Sequence, residues 1–209
     1  MIKARHHRFL YPFFEWYGYF LMKMHFKSIN ITGNYIKDDL PVLVISNHFS
    51  WWDGFFISTL NRKIIHKKFH VMMTEEQLLK YWYLSYTGGY SIKKRSKSCF
   101  ESLRYTISLL EKSENMVTIF PQGRFEPVYM QPLRFQKGIE WVLKHLNNEI
   151  RIIFAANLIE YSDSAKPELN IVFKEYACKN KDITEIQDDY NQFYRKSYLD
   201  ISAHKNQHT

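Results

Sequence analysis

The stretch Ser46-Asn47-His48-Phe49-Ser50-Trp51-Trp52-Asp53-Gly54 holds the sharpest chemical signal in the chain. It follows the apolar run Pro41-Val42-Leu43-Val44-Ile45, which has the composition of a strand buried on both faces. His48 is thereby delivered to a sheet edge. Asp53 comes five residues later, a separation that turns the two side chains well apart on a regular helix. They meet only if the chain turns between them and Asp53 starts the next helix. A carboxylate there accepts from one imidazole nitrogen, fixes the tautomer and leaves the other nitrogen as a base. Such a base takes the proton of an alcohol as its oxygen attacks a carbonyl carbon, with no serine or cysteine nucleophile required. A satisfied loop histidine followed by a helix-capping aspartate has the same spacing, and the spacing leaves both readings open.

Two further stretches bear on this chemistry. Phe120-Pro121-Gln122-Gly123-Arg124-Phe125-Glu126 also follows a stretch that reads as a buried strand, Met116–Phe120, so it should emerge at the same edge as His48. Its proline and glycine make a tight loop, and Arg124 supplies a forked cation for a phosphate or carboxylate. A plain turn with a surface arginine fits that loop equally. Lys93-Lys94-Arg95-Ser96-Lys97 places four cations in five residues, which suits an anionic headgroup, the phosphate of an acyl carrier, or simply water. His66 and His70 are four apart without a carboxylate partner nearby, so no metal site is expected.

The elements that position these residues alternate. Strands are predicted at Ser28–Gly33, 41–46, 68–74, 90–92, 116–120, 150–157 and 169–173, and helices at 53–60, 75–80, 98–111, 136–146 and 181–200. In the helix over 98–111, Phe100, Leu103, Ile107 and Leu110 follow spacings of one helical face. Ser98 and Glu101 have the arrangement of a capping box. Gly54, Gly88, Gly89, Gly123 and Gly138 fall at strand-to-helix corners, where α/β sheets carry functional loops. The alternation predicts an α/β fold: one domain over residues 28–203 with a mixed, mostly parallel sheet flanked by helices. Residues 204–209 read as a disordered polar tail.

The 209 residues suffice for one domain with a real core. Aromatic residues reach 17%, and many lie in Phe9–Phe26, where Glu15, Gly18 and Lys23 interrupt the apolar pattern. That interruption argues against a spanning helix, which needs about 20 mostly apolar residues. With Arg5, Arg8, Lys23 and Lys27 around it, segment 1–27 reads as an interfacial helical segment on anionic lipid. A terminal helix packed on the body of the protein is the alternative. The net charge of +8 favours anionic partners, and without an RNA-binding motif no nucleic acid is expected. Cys99 and Cys178 give no disulfide framework, which fits a reducing compartment. No cleavage site follows the basic N-terminal lead, so no secretory signal is read.

Asn47 to Asp53 resembles the NHxxxxD block of the glycerophospholipid acyltransferase family, which includes the 1-acylglycerol-3-phosphate acyltransferases. Phe120 to Arg124 resembles that family's FPEG block, Phe135-Gln136-Lys137-Gly138 its FKxG block, and Gly89 to Arg95, loosely, its middle block. The likeness spans about residues 28–175. It implies transfer of a fatty acyl group from an acyl-carrier protein or CoA thioester to a hydroxyl of a lysophospholipid or other single-chain lipid. His48 would be the general base, oriented by Asp53. Asn47, Lys94, Arg95, Phe120, Pro121, Gln122, Gly123 and Arg124 would bind substrate. No metal or cofactor is implied. The setting would be the cytoplasmic face of a membrane, with the protein peripheral or monotopic. A catalytically silent lipid-binding protein of the same fold is the alternative. Gln122 stands where the family usually has glutamate, and Phe125 and Glu126 break the usual continuation. These departures bear on the acceptor more than on the His–Asp pair.

Overall fold

The computed structural model describes residues 1–93, 98–161, 163–178 and 181–206, the last three by backbone only. Its strands are β1 (Ser28–Thr32), β2 (Val42–Ser46), β3 (Lys68–Thr74), β4 (Gly89–Ile92), β5 (Asn115–Ile119), β6 (Arg151–Glu160) and β7 (Glu168–Tyr176). Its helices are α1 (Leu10–His25), α2 (Asp53–Leu60), α3 (Glu75–Lys80), α4 (Cys99–Leu110), α5 (Lys137–His145) and α6 (Ile183–Asn206). The strands form a single sheet in the order β1-β7-β6-β2-β5-β3-β4. Strands β6, β2, β5, β3 and β4 pair in parallel, β7 runs antiparallel to β6, and β1 runs parallel to β7. This is the mixed, mostly parallel α/β sheet expected.

The unbroken apolar run of β2 follows from its place in the sheet. Leu43 and Ile45 pack into a core shared with α4, α5 and α6, whereas Val42 and Val44 pack into a second core with Met22 of α1 and Phe56 of α2. Successive strand residues face opposite sides, so a strand covered by helices on both faces has no solvent-facing position and Val42 to Ile45 are all apolar. The parallel pairing sends the C-terminal ends of β2 and β5 out side by side, with Ile45 opposite Ile119. In open α/β sheets that edge holds the ligand crevice.

Three local expectations meet a different outcome. Ser98 precedes α4 in helical backbone conformation, at φ −70° and ψ −10°, and its side chain makes no capping hydrogen bond; a cap needs extended backbone there. The buried face of α4 is Ser102, Leu103, Thr106, Leu109 and Leu110, while Phe100 stays 52% exposed. Two polar residues fit that face because Ser102 Oγ donates to Ser91 O at 2.8 Å and Thr106 Oγ1 bonds Tyr90 OH at 2.8 Å. Helix α6 runs through Asn206, three residues into the stretch expected to be a disordered tail, and 207–209 lie outside the described residues.

Helix α1 has two characters. Met22 is fully buried and Phe26, just beyond the helix, is 5% exposed, so the segment packs on the body. Phe9, Phe13, Trp16, Phe20 and Met24, spaced along one helical face, are all exposed. Among the described residues no helix is long and apolar enough to cross a membrane.

Candidate active site

The chain turns sharply between β2 and α2, so Asp53 opens α2 with its side chain directed back at the turn. His48 Nδ1 donates to Asp53 Oδ2 at 2.8 Å, since an ionised carboxylate only accepts. The same oxygen accepts from the backbone N–H groups of Phe49 at 2.8 Å and Ser50 at 2.9 Å. Asp53 is fully buried, and its Oδ1 has no partner among the described residues. Burial pushes its carboxyl above the usual carboxylate range, against the opposing pull of His48 and the two backbone N–H groups. With Nδ1 committed, Nε2 is the nitrogen of His48 left for acid–base work.

Two aromatic rings pack against the His48 ring. Phe120 stacks on it with centroids 4.2 Å apart and planes 13° apart, and Phe125 covers it at 4.3 Å and 44°. Phe125, 47% exposed, was not among the expected site residues. Its trace in the sequence is that it breaks the usual continuation of the family's block, one residue past Arg124.

The loop after β5 grips the loop after β2. His48 N donates to Gln122 Oε1 at 2.7 Å, Glu126 N donates to His48 O at 2.9 Å, and Gln122 Nε2 donates to Glu126 Oε2 at 2.9 Å. Gln122 is 3% exposed. Gly123 turns this loop at φ +64°, a left-handed conformation that glycine adopts without steric cost. Pro121 O accepts from Gln136 N at 2.8 Å, which ties the loop to the entry of α5.

Asn47, expected among the substrate-binding residues, occupies a different place. It is 2% exposed, and its amide clasps one residue of β6: Nδ2 donates to Asn157 O at 2.9 Å and Oδ1 accepts from Asn157 N at 2.8 Å. The side chain continues the β2–β6 ladder by one step after the strand ends, which orients the residue that follows, His48. Lys94 and Arg95 lie outside the described residues. Beneath the site, α6 contributes residues that sequence reading missed. Tyr190 OH donates to Ala155 O at 2.8 Å and Tyr194 OH to Val128 O. Asn191 bonds the backbone of Leu133 in both directions, at 2.7 and 3.0 Å. Helix α6 therefore braces the segment that joins β5 to α5.

A cavity of about 1180 Å³ opens at His48. Its wall follows β3 from Phe69 to Thr74, about 17 Å of strand, and includes Phe14, Phe55, Val71, Met73 and Leu84. Pro121, Gln122, Gly123 and Arg124 line the mouth beside His48. Gly54 keeps the wall open, since no atom lies within 4 Å of where a Cβ would stand. A long apolar space with a histidine–carboxylate pair at its mouth suits an apolar chain whose reactive carbon stops at the base.

A family model described as acyltransferase matches residues 28–154, more than half of the chain. A search of curated proteins finds no match. Among solved structures the chain is similar to the 1-acyl-sn-glycerophosphate (LPA) acyltransferase, PlsC, from Thermotoga maritima, with TM-score 0.62 and 15% identity over 92% of this chain and 80% of that one. At that identity the likeness is one of fold.

Proposed function

The chain belongs to the acyltransferase family, and from this premise we infer that it moves a fatty acyl group from a thioester to a hydroxyl of a single-chain lipid, a lysophospholipid or a relative of one. The observation that carries the reading is the His48–Asp53 pair at the mouth of the apolar cavity. The acyl chain lies along β3, with its thioester carbonyl at the mouth. His48 Nε2 takes the proton of the acceptor hydroxyl as that oxygen attacks the carbonyl carbon. The new C–O bond forms, the C–S bond breaks, and the imidazolium returns its proton to the departing thiolate. Asp53 holds the tautomer and stabilises the imidazolium between the two transfers. Phe120 and Phe125 keep the ring in one orientation and water away from its faces. The thiol carrier is an acyl-carrier protein or CoA, and these steps use no further cofactor.

The exposed aromatic face of α1 rests on a membrane leaflet in this reading, with the protein peripheral and on the cytoplasmic side. Lys23 within α1 and Arg5 and Arg8 just before it are exposed, which suits anionic headgroups, whereas Lys27 is taken up by Asp163 and Glu168.

The test is release of free thiol from acyl-CoA and acyl-carrier protein by the purified chain, with a panel of single-chain acceptors and His48→Ala as control. Acceptor-dependent release that disappears in the variant is the expected result. No release with any acceptor, together with retained lipid binding, would turn the reading to a silent lipid-binding protein.

A further inference from the structure

Arg124, with its side chain 76% exposed, is the cation that the loop after β5 presents at the cavity mouth. It is already paired: its Nε and Nη2 both donate to Glu126 Oε1 at 2.8 Å. Glu126 is the anchored partner, with its side chain only 11% exposed. Its Oε2 accepts from Gln122 Nε2 at 2.9 Å and its backbone N–H holds His48 O at 2.9 Å. Burial works to raise the Glu126 carboxyl, but the bonds from Gln122 and Arg124 and the charges of Arg124 and Arg134 outweigh it and hold the group below its ordinary value.

Gln122 and Glu126 are a matched set. One atom of the Gln122 amide accepts from His48 N, so the other must face Glu126 Oε2. An amide nitrogen donates across that gap. A carboxylate at position 122 would set oxygen against oxygen with like charge. The loop therefore carries its negative charge at 126, in contact with Arg124.

We propose that the acceptor presents an uncharged, hydroxyl-bearing headgroup at Arg124 and Glu126, and that Glu126 sets a preference against a phosphate monoester there. A hydroxyl accepts from the guanidinium and donates to the carboxylate at once. A phosphate must displace the carboxylate from Arg124 or sit beside a fixed like charge. The proposal rests on the transfer reading above and, within it, favours the single-chain relatives of lysophospholipids that carry no phosphate.

The experiment compares a monoacylglycerol with its phosphorylated counterpart of the same chain length, each in neutral detergent micelles, as acceptors in the thiol-release assay. The unphosphorylated lipid should show kcat/KM higher by about tenfold, the scale of one charge contact near a surface. Glu126→Gln should narrow that ratio by a similar factor, because glutamine at 126 still accepts from Gln122. A wild-type ratio of one or below, or a ratio unmoved by Glu126→Gln, overturns the headgroup inference while transfer itself stands. If neither lipid is turned over, the wider acceptor panel decides the transfer reading separately. The preference is then read from equilibrium binding of the same two lipids, followed by tryptophan fluorescence, since Trp51 lines the cavity. Tighter binding of the phosphorylated lipid there also overturns the inference.

Discussion

Two histidine pairs in this molecule differ in everything except the residue. His48 has a carboxylate partner in Asp53, a side chain 21% exposed and a cavity in front of it. His6 and His70 pack edge to face with centroids 4.7 Å apart, and each bonds a backbone carbonyl: His6 Nε2 to Phe69 O at 2.9 Å and His70 Nδ1 to Lys68 O at 3.0 Å. His70 is 2% exposed. Burial, with the neighbouring His6 adding to it, holds His70 down to about 3, and burial lowers His6 as well. A carboxylate with an open second nitrogen makes a base. Two carbonyls and a second imidazole make a packing unit that must stay neutral.

The largest expected effect separates the pairs directly. His48→Ala should cut transfer by about 10²- to 10⁴-fold, the range for loss of a general base, and should also lower the thermal midpoint, because buried Asp53 loses its imidazole partner. Near-normal turnover in that variant would falsify the base assignment and make the two pairs alike. Asp53→Asn should come next. It withdraws the charge that holds the imidazolium and disturbs an oxygen that accepts three hydrogen bonds. Both turnover and stability should fall, the latter by roughly 1–3 kcal/mol. An Asp53→Asn enzyme with full activity would sink the orienting role.

The second pair is tested through acid stability. The folded-state pKa of His70 lies below its ordinary 6.5, so the unfolded chain binds more protons between about 3 and 6.5. Stability is therefore full above that window and is lost as pH falls through it, by at most about 1.4 kcal/mol per pH unit for this group. Denaturant titrations from pH 7 to 4 should show this slope in the wild type and a flatter one in His70→Phe, with turnover at neutral pH retained. Equal slopes would mean that the His6–His70 pair is not the acid-sensitive element.

The smallest effect on chemistry is expected furthest from either pair. Phe13→Ser combined with Trp16→Ser and Phe20→Ser changes only exposed side chains of α1. Sedimentation with anionic vesicles should drop while turnover of detergent-dispersed acceptor stays within about twofold, as for surface changes worth under 0.5 kcal/mol. Unchanged vesicle binding would return α1 to a purely packing role.

Legibility in the sequence tracked how local each cause was. The β2 run could be read because burial on both faces favours apolar residues, and the His48–Asp53 pair because five residues and one turn contain it. The buried face of α4 misled because Ser102 and Thr106 sit on it, and their partners Ser91 and Tyr90 come from β4. Asn47 was legible as important but not in its role, since its partner Asn157 lies 110 residues away. His6 and His70, 64 positions apart, gave no pattern at all. Helix α6 was legible as a helix and Phe125 as a departure from the family's block, but the contacts of Phe125, Tyr190 and Tyr194 were not, since their partners lie on other elements.

The sequence by itself determined the alternation of strands and helices, the spacing that lets one turn bring Asp53 back to His48, and the two loops that carry the candidate chemistry. Each of these rests on side-chain period, turn residues or short-range hydrogen bonding, which the chain encodes within a few residues. The tertiary structure alone decided that β5 lies beside β2, so that Gln122 grips the His48 backbone and Glu126 takes up Arg124. It also decided that α1, α2 and β3 enclose a cavity in front of the base. Strand order is set by how whole layers bury their apolar faces against one another, and no local pattern records which loops that packing makes neighbours.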